Sequence, residues 1–326
     1  MRKNLARCMA MLAFCGLTPV LHASTTLPEQ ITVVVPYAPG GAVDALTRIL
    51  AKHISADKAI NLVVENKPGA AGAIAATQVS RSKPDGRTLI MGTSNTHGVN
   101  SFVMPDLKYD PIQDFTPVAD VAENIVILAA NKNFPAETLS EAVEVIRKSP
   151  GKYNFGSPGI GSVHALAMEQ FAKKLGLDIS HVAYKGAGPA MTDAVAGNIP
   201  LVMAGIVPAK PFLESKRIKV LGVANPKDDM FSGVPEIERT QYFSDIQKDT
   251  SVQSWIGLFA PADLDPVLAE TLHAAVEKVL KSDDFAKELI PLGMVPTVST
   301  RQQFANKVSD DLQFWKQAIG SDSKSQ

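Results

Sequence analysis

The amino-acid sequence predicts an α/β protein of two lobes, each a mostly parallel sheet flanked by helices. Three observations carry this. Short apolar, β-branched runs alternate with segments of helical period along most of the chain. Turns rich in glycine and proline repeatedly join a strand's end to the next helix's start. The chain also has 326 residues, 45% hydrophobic and 20% charged. That is length for about two domains, each with its own core.

The first stretch reads as a secretory leader. Arg2, Lys3 and Arg7 carry charge with no acid nearby, an apolar run extends from Cys8 to Leu21, and Leu21-His22-Ala23 offers a cleavage site. The run is too short to span a membrane, which takes about 20 apolar residues. The pattern outweighs a buried N-terminal helix, and Phe14 before Cys15 is too large for a lipoprotein signal. Removing residues 1–23 takes away both cysteines and leaves 303 residues, with 29 Lys+Arg against 33 Asp+Glu, a net charge of −4. An exported chain without disulfides relies on its core, and ~300 residues can build one, because the buried fraction of surface rises with size. The mild acidity excludes the basic surplus of a nucleic-acid binder. The composition also excludes a disordered, collagen-like or polytopic membrane chain.

Ile31–Val35 is the first strand, an apolar run typical of a parallel strand covered on both faces. Pro39-Gly40-Gly41 turns the chain into a helix with Val43, Leu46, Leu50 and Ile54 on one face and Asp44–Arg48 as an i,i+4 pair. Strand Leu62–Glu65, a Gly/Ala-rich helix near Ala71–Ser80, the turn Pro84-Asp85-Gly86 and strand Thr88–Met91 complete a β-α-β-α-β unit. Right-handed crossovers then place the first strand in the centre. The pattern resumes with strand Ile125–Ala129, a helix from near Ser140, strand Tyr153–Phe155 and a helix from Ser162 to Leu175. Strand Ile179–Val182, a helix ending at Gly197, and strands Leu201–Ala204 and Lys219–Val223 follow. After the polar segment Asn225–Val252 come strand Trp255–Pro261 and helices Pro266–Leu280, Asp284–Leu289 and Thr300–Ile319. The domains are therefore expected at 24–124 plus 256–326 for lobe 1 and 125–255 for lobe 2, after the leader 1–23.

Three glycine turns stand at predicted helix starts: Pro39-Gly40-Gly41, Gly159-Ile160-Gly161-Ser162 and Gly186-Ala187-Gly188-Pro189. Glycines let backbone approach a ligand, and a helix start offers unpaired N–H groups that favour an anion. One such turn alone only shortens a β-α connection; three across two lobes point to a cleft site. Enzyme signatures are missing. The chain has no G-x-G-x-x-G, no G-x-x-x-x-G-K-[ST] and no G-x-S-x-G. With no cysteine after the leader there is no thiol nucleophile. His53, His97, His164, His181 and His273 show no metal-ligand spacing. No cofactor and no metal are expected.

The run Pro36-Tyr37-Ala38-Pro39-Gly40-Gly41-Ala42-Val43-Asp44 with Arg48 resembles the opening signature of the Bug receptors, the substrate-binding proteins of tripartite tricarboxylate transporters. Glu65–Gly72, Pro84-Asp85-Gly86, Gly159–His164, Tyr184–Ala190 with Asp193 and Gly197, Trp255–Pro261 and Phe314-Trp315 agree in order. The resemblance implies a two-lobed type II periplasmic-binding fold, a Venus flytrap that closes on a small mono- or dicarboxylate. It implies ligand contacts from Tyr37, Ala38, Pro39, Gly40, Gly41 and Asp44, and from Ser94, Asn95 and His97 in lobe 1. From lobe 2 it implies Ser157, Gly159, Ser162, His164, Tyr184, Lys185, Gly186, Pro189 and Asp193. The expected protein is a monomeric periplasmic receptor that delivers its ligand to membrane transport subunits. A sensor feeding a signalling partner and a carboxylate-processing enzyme are the alternatives. Asn225-Pro226-Lys227-Asp228-Asp229 departs from the resemblance, as does the charged segment Pro235–Val252.

Overall fold

The computed structural model describes residues 26–57, 60–231 and 234–320, so the expected leader with Cys8 and Cys15 lies outside the described residues. The strands are β1 (Gln30–Val35), β2 (Asn61–Asn66), β3 (Thr88–Thr93), β4 (Phe115–Asn124), β5 (Val126–Asn131), β6 (Asn154–Ser157), β7 (Ser180–Ala183), β8 (Leu201–Gly205), β9 (Ile218–Val223), β10 (Gln241–Tyr242), β11 (Trp255–Pro261) and β12 (Met294–Pro296). They form two six-stranded sheets, ordered β12-β4-β11-β3-β1-β2 and β10-β9-β5-β8-β6-β7. The first sheet joins a parallel β-α-β half to an antiparallel half, whereas in the second β10 pairs parallel with β9 and only β5 runs against its neighbours. In the first, β1 runs parallel to β2 and β3, and β11 antiparallel to β3 and β4. In the second, β6 runs parallel to β7 and β8, and β5 antiparallel to β8 and β9. The antiparallel strands β5 and β11 are those by which the chain enters a sheet from the other one.

Helices cover both faces of each sheet, and this is why the parallel strands read as unbroken apolar runs. Ile31 and Val33 of β1 join a core with Leu46 and Leu50 of helix Ala42–Ile54 and Leu272 of helix Pro266–Leu280. Val34, on the opposite face, packs with Ala75 and Ala76 of helix Ala73–Ser80 and with Phe304 and Val308 of helix Arg301–Gly320. In the second lobe, Phe155 and Met203 share one core with Met168 and Phe171 of helix Val163–Leu175. Val202 and Val223 share the other with Ala190 and Met191 of helix Ala187–Ala196. The C-terminal helix spans the lobes: Phe304 lies in a first-lobe core and Trp315 in a second-lobe core.

The chain passes between sheets twice, and the two passages are locked together. β4 ends at Asn124 and β5 begins at Val126. Asn225, fully buried on the return passage, accepts the Val126 N–H at 2.7 Å and donates to Asn124 O at 3.0 Å. Ser254 N donates to Glu123 Oε1 at 2.6 Å, and Asn124 N to Ser254 O at 3.0 Å.

β4, β10 and β12 lie outside the strands that the sequence pattern predicts. β4 runs between β11 and β12, yet it carries Pro117, Asp120 and Glu123. Its two acids are buried and paired with Lys307 of the C-terminal helix, whose Nζ donates to Asp120 Oδ2 at 2.9 Å and to Glu123 Oε2 at 3.1 Å. One turn on, Asp311 Oδ2 accepts the indole N–H of Trp255 at 3.0 Å. Burial pushes Asp120 up to about 6 and Asp311 up to about 7. Burial works to lower Lys307, but Glu123 and Asp120 outweigh it and hold the ammonium above its ordinary range.

Candidate functional site

The sequence-predicted turns lie at the C-terminal ends of parallel strands, where α/β sheets bind ligands. Hydrogen bonds tie them into one cluster. The Tyr37 hydroxyl, after β1, meets Thr93 Oγ1 at the end of β3 at 2.9 Å. Two residues on, the Asn95 side chain bonds the second lobe, donating to Gly161 O at 3.0 Å and accepting the Val163 N–H at 3.0 Å. Pro158 O accepts the Gly186 N–H at 2.9 Å. A continuous path thus leads from the first-lobe turn to both second-lobe turns.

In the first lobe, Ala38, Pro39, Gly40 and Gly41 are exposed, and helix Ala42–Ile54 starts at Gly41 with no side-chain cap. Its first-turn N–H groups have no side-chain partner from the N-cap, the setting that attracts an anion. Gly40 has φ +84°, a conformation that side chains other than glycine's rarely take. Asp44, buried in the first turn, holds the shape. Its Oδ2 accepts the Gly40 N–H at 2.9 Å and Arg48 Nε at 3.1 Å, and its Oδ1 accepts Asn66 Nδ2 at 2.9 Å. Burial opposes its charge, but Arg48, Gly40 and Asn66 together keep its pKa below the ordinary carboxylate range. Burial pushes the Tyr37 phenol up to about 12, so it stays a neutral hydroxyl.

The second lobe repeats the device. Helix Ala187–Ala196 starts at Gly186, φ +123°, also without a side-chain cap. Lys185, Gly188 and Pro189 are exposed around it. The Tyr184 hydroxyl donates to Asp193 Oδ2 at 2.7 Å, and Asn198 Nδ2 to Asp193 Oδ1 at 3.1 Å. Tyr184 is pushed up to about 12, by burial first and then by Asp193, whose own carboxyl is held low by Tyr184 and Asn198. Asp44 thus braces the first turn directly, while Asp193 ties Tyr184, just ahead of the second turn, to Asn198 past the helix's far end.

The third predicted start differs. Helix Val163–Leu175 is capped by Ser162, which accepts the Ala165 N–H at 3.2 Å, and its Val163 N–H goes to Asn95. Ser162 also donates to Gly159 O at 2.8 Å. This turn is internally closed, and Asn95 serves as an inter-lobe clasp.

The two histidines near the turns differ in their surroundings. His97 is not on a turn surface; it is 0% exposed in the first-lobe aromatic core, stacked on Phe259 at 3.9 Å and edge-on to Phe115 at 4.5 Å. Burial pulls it down to about 3, a neutral ring whose Nδ1 meets Thr96 Oγ1 at 2.9 Å. It follows Ser94, also buried, in a wide helical turn where the Val99 N–H reaches back to Ser94 O at 3.0 Å. His164, half-buried in the first turn of its helix, is pulled down to about 4 by burial. Neither ring carries a charge to offer an anion at neutral pH. Ser157 is fully buried at the end of β6, its hydroxyl 2.6 Å from His181 Nε2. Periodicity gave no signal for that contact, since His181 and Ser157 are 24 residues apart on neighbouring strands.

Among the described residues no group of three or more His, Cys, Asp or Glu side chains is placed to hold a metal ion, and no helix is long and apolar enough to cross a membrane.

Comparison with known proteins agrees with this architecture. The protein BugT of Bordetella pertussis is 25% identical over 318 residues, covering 96% of each chain. The structure of MatC from Rhodopseudomonas palustris with bound malate superposes with a TM-score of 0.79 at 31% identity, covering 90% of this chain and all of that one. The structure of Rpa4515 from R. palustris with adipate superposes at 0.82 with 28% identity, covering 89% and 97%. The profile described as "Tripartite tricarboxylate transporter family receptor" matches residues 46–322. This chain belongs to that family of receptors.

Proposed function

We propose that this protein is an exported receptor that captures a small mono- or dicarboxylate between its lobes and delivers it to the membrane subunits of a tripartite tricarboxylate-type transporter. The observation that carries the reading is the pair of glycine-started helices at Gly41 and Gly186, one in each lobe, with uncapped first-turn N–H groups. Each suits one carboxylate end, with no arginine needed. Asp44 and Asp193 hydrogen-bond within their own lobes and help to shape the two helix starts. Exposed Lys185 adds a positive charge beside the second turn. Malate and adipate in the two related structures support the ligand class. The leader pattern of residues 1–23 supports a periplasmic location.

Capture works by closure. A ligand that contacts both turns favours the closed arrangement by its differential affinity, and membrane subunits read that arrangement. The test is thermal unfolding with a panel of mono- and dicarboxylates that includes malate and adipate. A ligand at ~100 times its Kd adds ~2.7 kcal/mol of stability. A folded protein whose transition moves with none of them sinks the proposal.

A further inference from the structure

One part-buried contact lies behind the second-lobe turns. His181 of β7 stands opposite Phe155 of β6, and the two rings stack at 4.9 Å and 13°. That stacking fixes both ring nitrogens. Nε2 lies 2.6 Å from Ser157 Oγ, and Nδ1 lies 3.1 Å from Glu169 Oε1 on helix Val163–Leu175. The carboxylate oxygen accepts, so Nδ1 carries a proton, and Nε2 accepts the hydrogen bond donated by the Ser157 hydroxyl. Ser157 Oγ also accepts the Gly159 N–H at 3.2 Å and lies 3.1 Å from Gly159 O.

The consequence reaches the open helix start. Ser157 O accepts the Tyr184 N–H at 3.0 Å, and the next residue's carbonyl, Pro158 O, accepts the Gly186 N–H at 2.9 Å. Gly186 is the residue at which helix Ala187–Ala196 begins. Serine, imidazole and carboxylate in this order also form the layout of an acyl-transfer triad. Here Ser157 has no exposed surface and its hydroxyl is bonded on both sides, so the arrangement delivers position and not attack.

We propose that Glu169, His181 and Ser157 form a positioning relay that holds the Gly186 helix start in its ligand-ready place. It rests on the receptor reading above and names the device that sets the second lobe's half of that site. Glu169 orients the ring, the ring orients Ser157, and Ser157 fixes Pro158, to which Gly186 is bonded.

The test compares wild type with His181→Ala, His181→Gln and Ser157→Ala in two assays. Hydrogen–deuterium exchange without ligand follows segments 157–162 and 184–190, with 36–44 as the first-lobe control. His181→Ala is expected to speed exchange in both second-lobe segments about tenfold and leave the control unchanged. His181→Gln, whose amide still reaches Ser157, is expected to restore most of the protection. Calorimetry with malate and adipate is expected to show about tenfold weaker binding in His181→Ala and only a few-fold loss in His181→Gln. Wild-type exchange in the alanine variant, loosening of all three segments alike, or no rescue by glutamine would each overturn the relay. So would p-nitrophenyl acetate hydrolysis by wild type that disappears in Ser157→Ala. If wild type binds neither probe, the receptor reading loses its support while the exchange data still judge the relay.

Discussion

The cleft turns and the crossover between the lobes handle charge in opposite ways. At the turns, the carboxylate of Asp44 accepts from Gly40, Arg48 and Asn66, and that of Asp193 from Tyr184 and Asn198. In the proposed reading, the ligand takes backbone N–H at the two uncapped helix starts. At the crossover, three buried acids, Asp120, Glu123 and Asp311, gather round one lysine, Lys307. If the proposed reading holds, an anion held by dipoles needs no buried cation; the buried lysine stands instead where the lobes join, paired with Asp120 and Glu123. Affinity and stability should therefore separate by mutation.

The largest effect is expected at Lys307. Lys307→Met leaves Asp120 and Glu123 buried without a counter-charge, and breaking such a pair costs about 3–5 kcal/mol. The loss should shrink in acid, because Asp120, already up at about 6, then takes a proton. Denaturant unfolding at two pH values reads both statements, and the folded fraction should keep its carboxylate affinity. A variant that binds poorly but unfolds like the parent would break the comparison.

Gly40→Val acts on the other region. Nothing lies within 4 Å of a Cβ there, so the penalty is the backbone's: a β-branched residue at φ +84°. The left-handed conformation costs roughly 1–2 kcal/mol, which the turn avoids by moving. Carboxylate affinity should fall about tenfold or more, while the crossover is untouched. Unchanged affinity in calorimetry would remove this turn from the site.

Next is a slope and not a step. Asp311, at about 7 when folded against an ordinary 3.8, holds its proton in the folded state over a window where the unfolded chain has lost it. The folded state then binds more protons, so this group's contribution falls as pH rises from about 4 to about 7, by at most ~1.4 kcal/mol per pH unit. Asp311→Asn cannot ionise and still offers an acceptor to Trp255. It should match the parent below pH ~4 and lose stability less steeply above it. Parallel curves in urea titrations across that range would show that Asp311 does not carry the slope.

How far these regions were legible from sequence follows from the same contrast. The turns announce themselves, because Gly40 and Gly186 have positive φ and because the apolar run Val33–Val35 leads into the first and β7 into the second. The crossover is silent. β4 alternates poorly, since Asp120 and Glu123 interrupt it, and the Lys307 that neutralises them is 184 residues beyond Glu123. The resemblance implies a ligand contact for His97, yet its ring is buried and stacks on Phe259, a contact that local spacing does not encode. Asn95 was legible as a cleft-loop residue, but its two bonds to Gly161 and Val163 depend on how the lobes meet.

The smallest effects come from a mirror pair that sharpens the contrast between open and closed helix starts. Ser162→Ala removes a cap, which costs about 1 kcal/mol of stability. Its helix start is closed by Ser162 and Asn95, so the change should register in stability more than in affinity. Gly41→Ser does the reverse. Gly41 has φ −82° and ψ 170°, ordinary for a serine N-cap, and a Cβ there would sit 3.7 Å from Ala38 O, an easy contact. The new hydroxyl can accept a first-turn N–H, adding a few tenths of a kcal/mol to stability. It would do so by occupying a donor that the open start reserves for a carboxylate. Stability should rise slightly while affinity falls. A Gly41→Ser protein that gains stability and binds its carboxylate as tightly as before would show that the first-turn amides of helix Ala42–Ile54 are not what holds the anion.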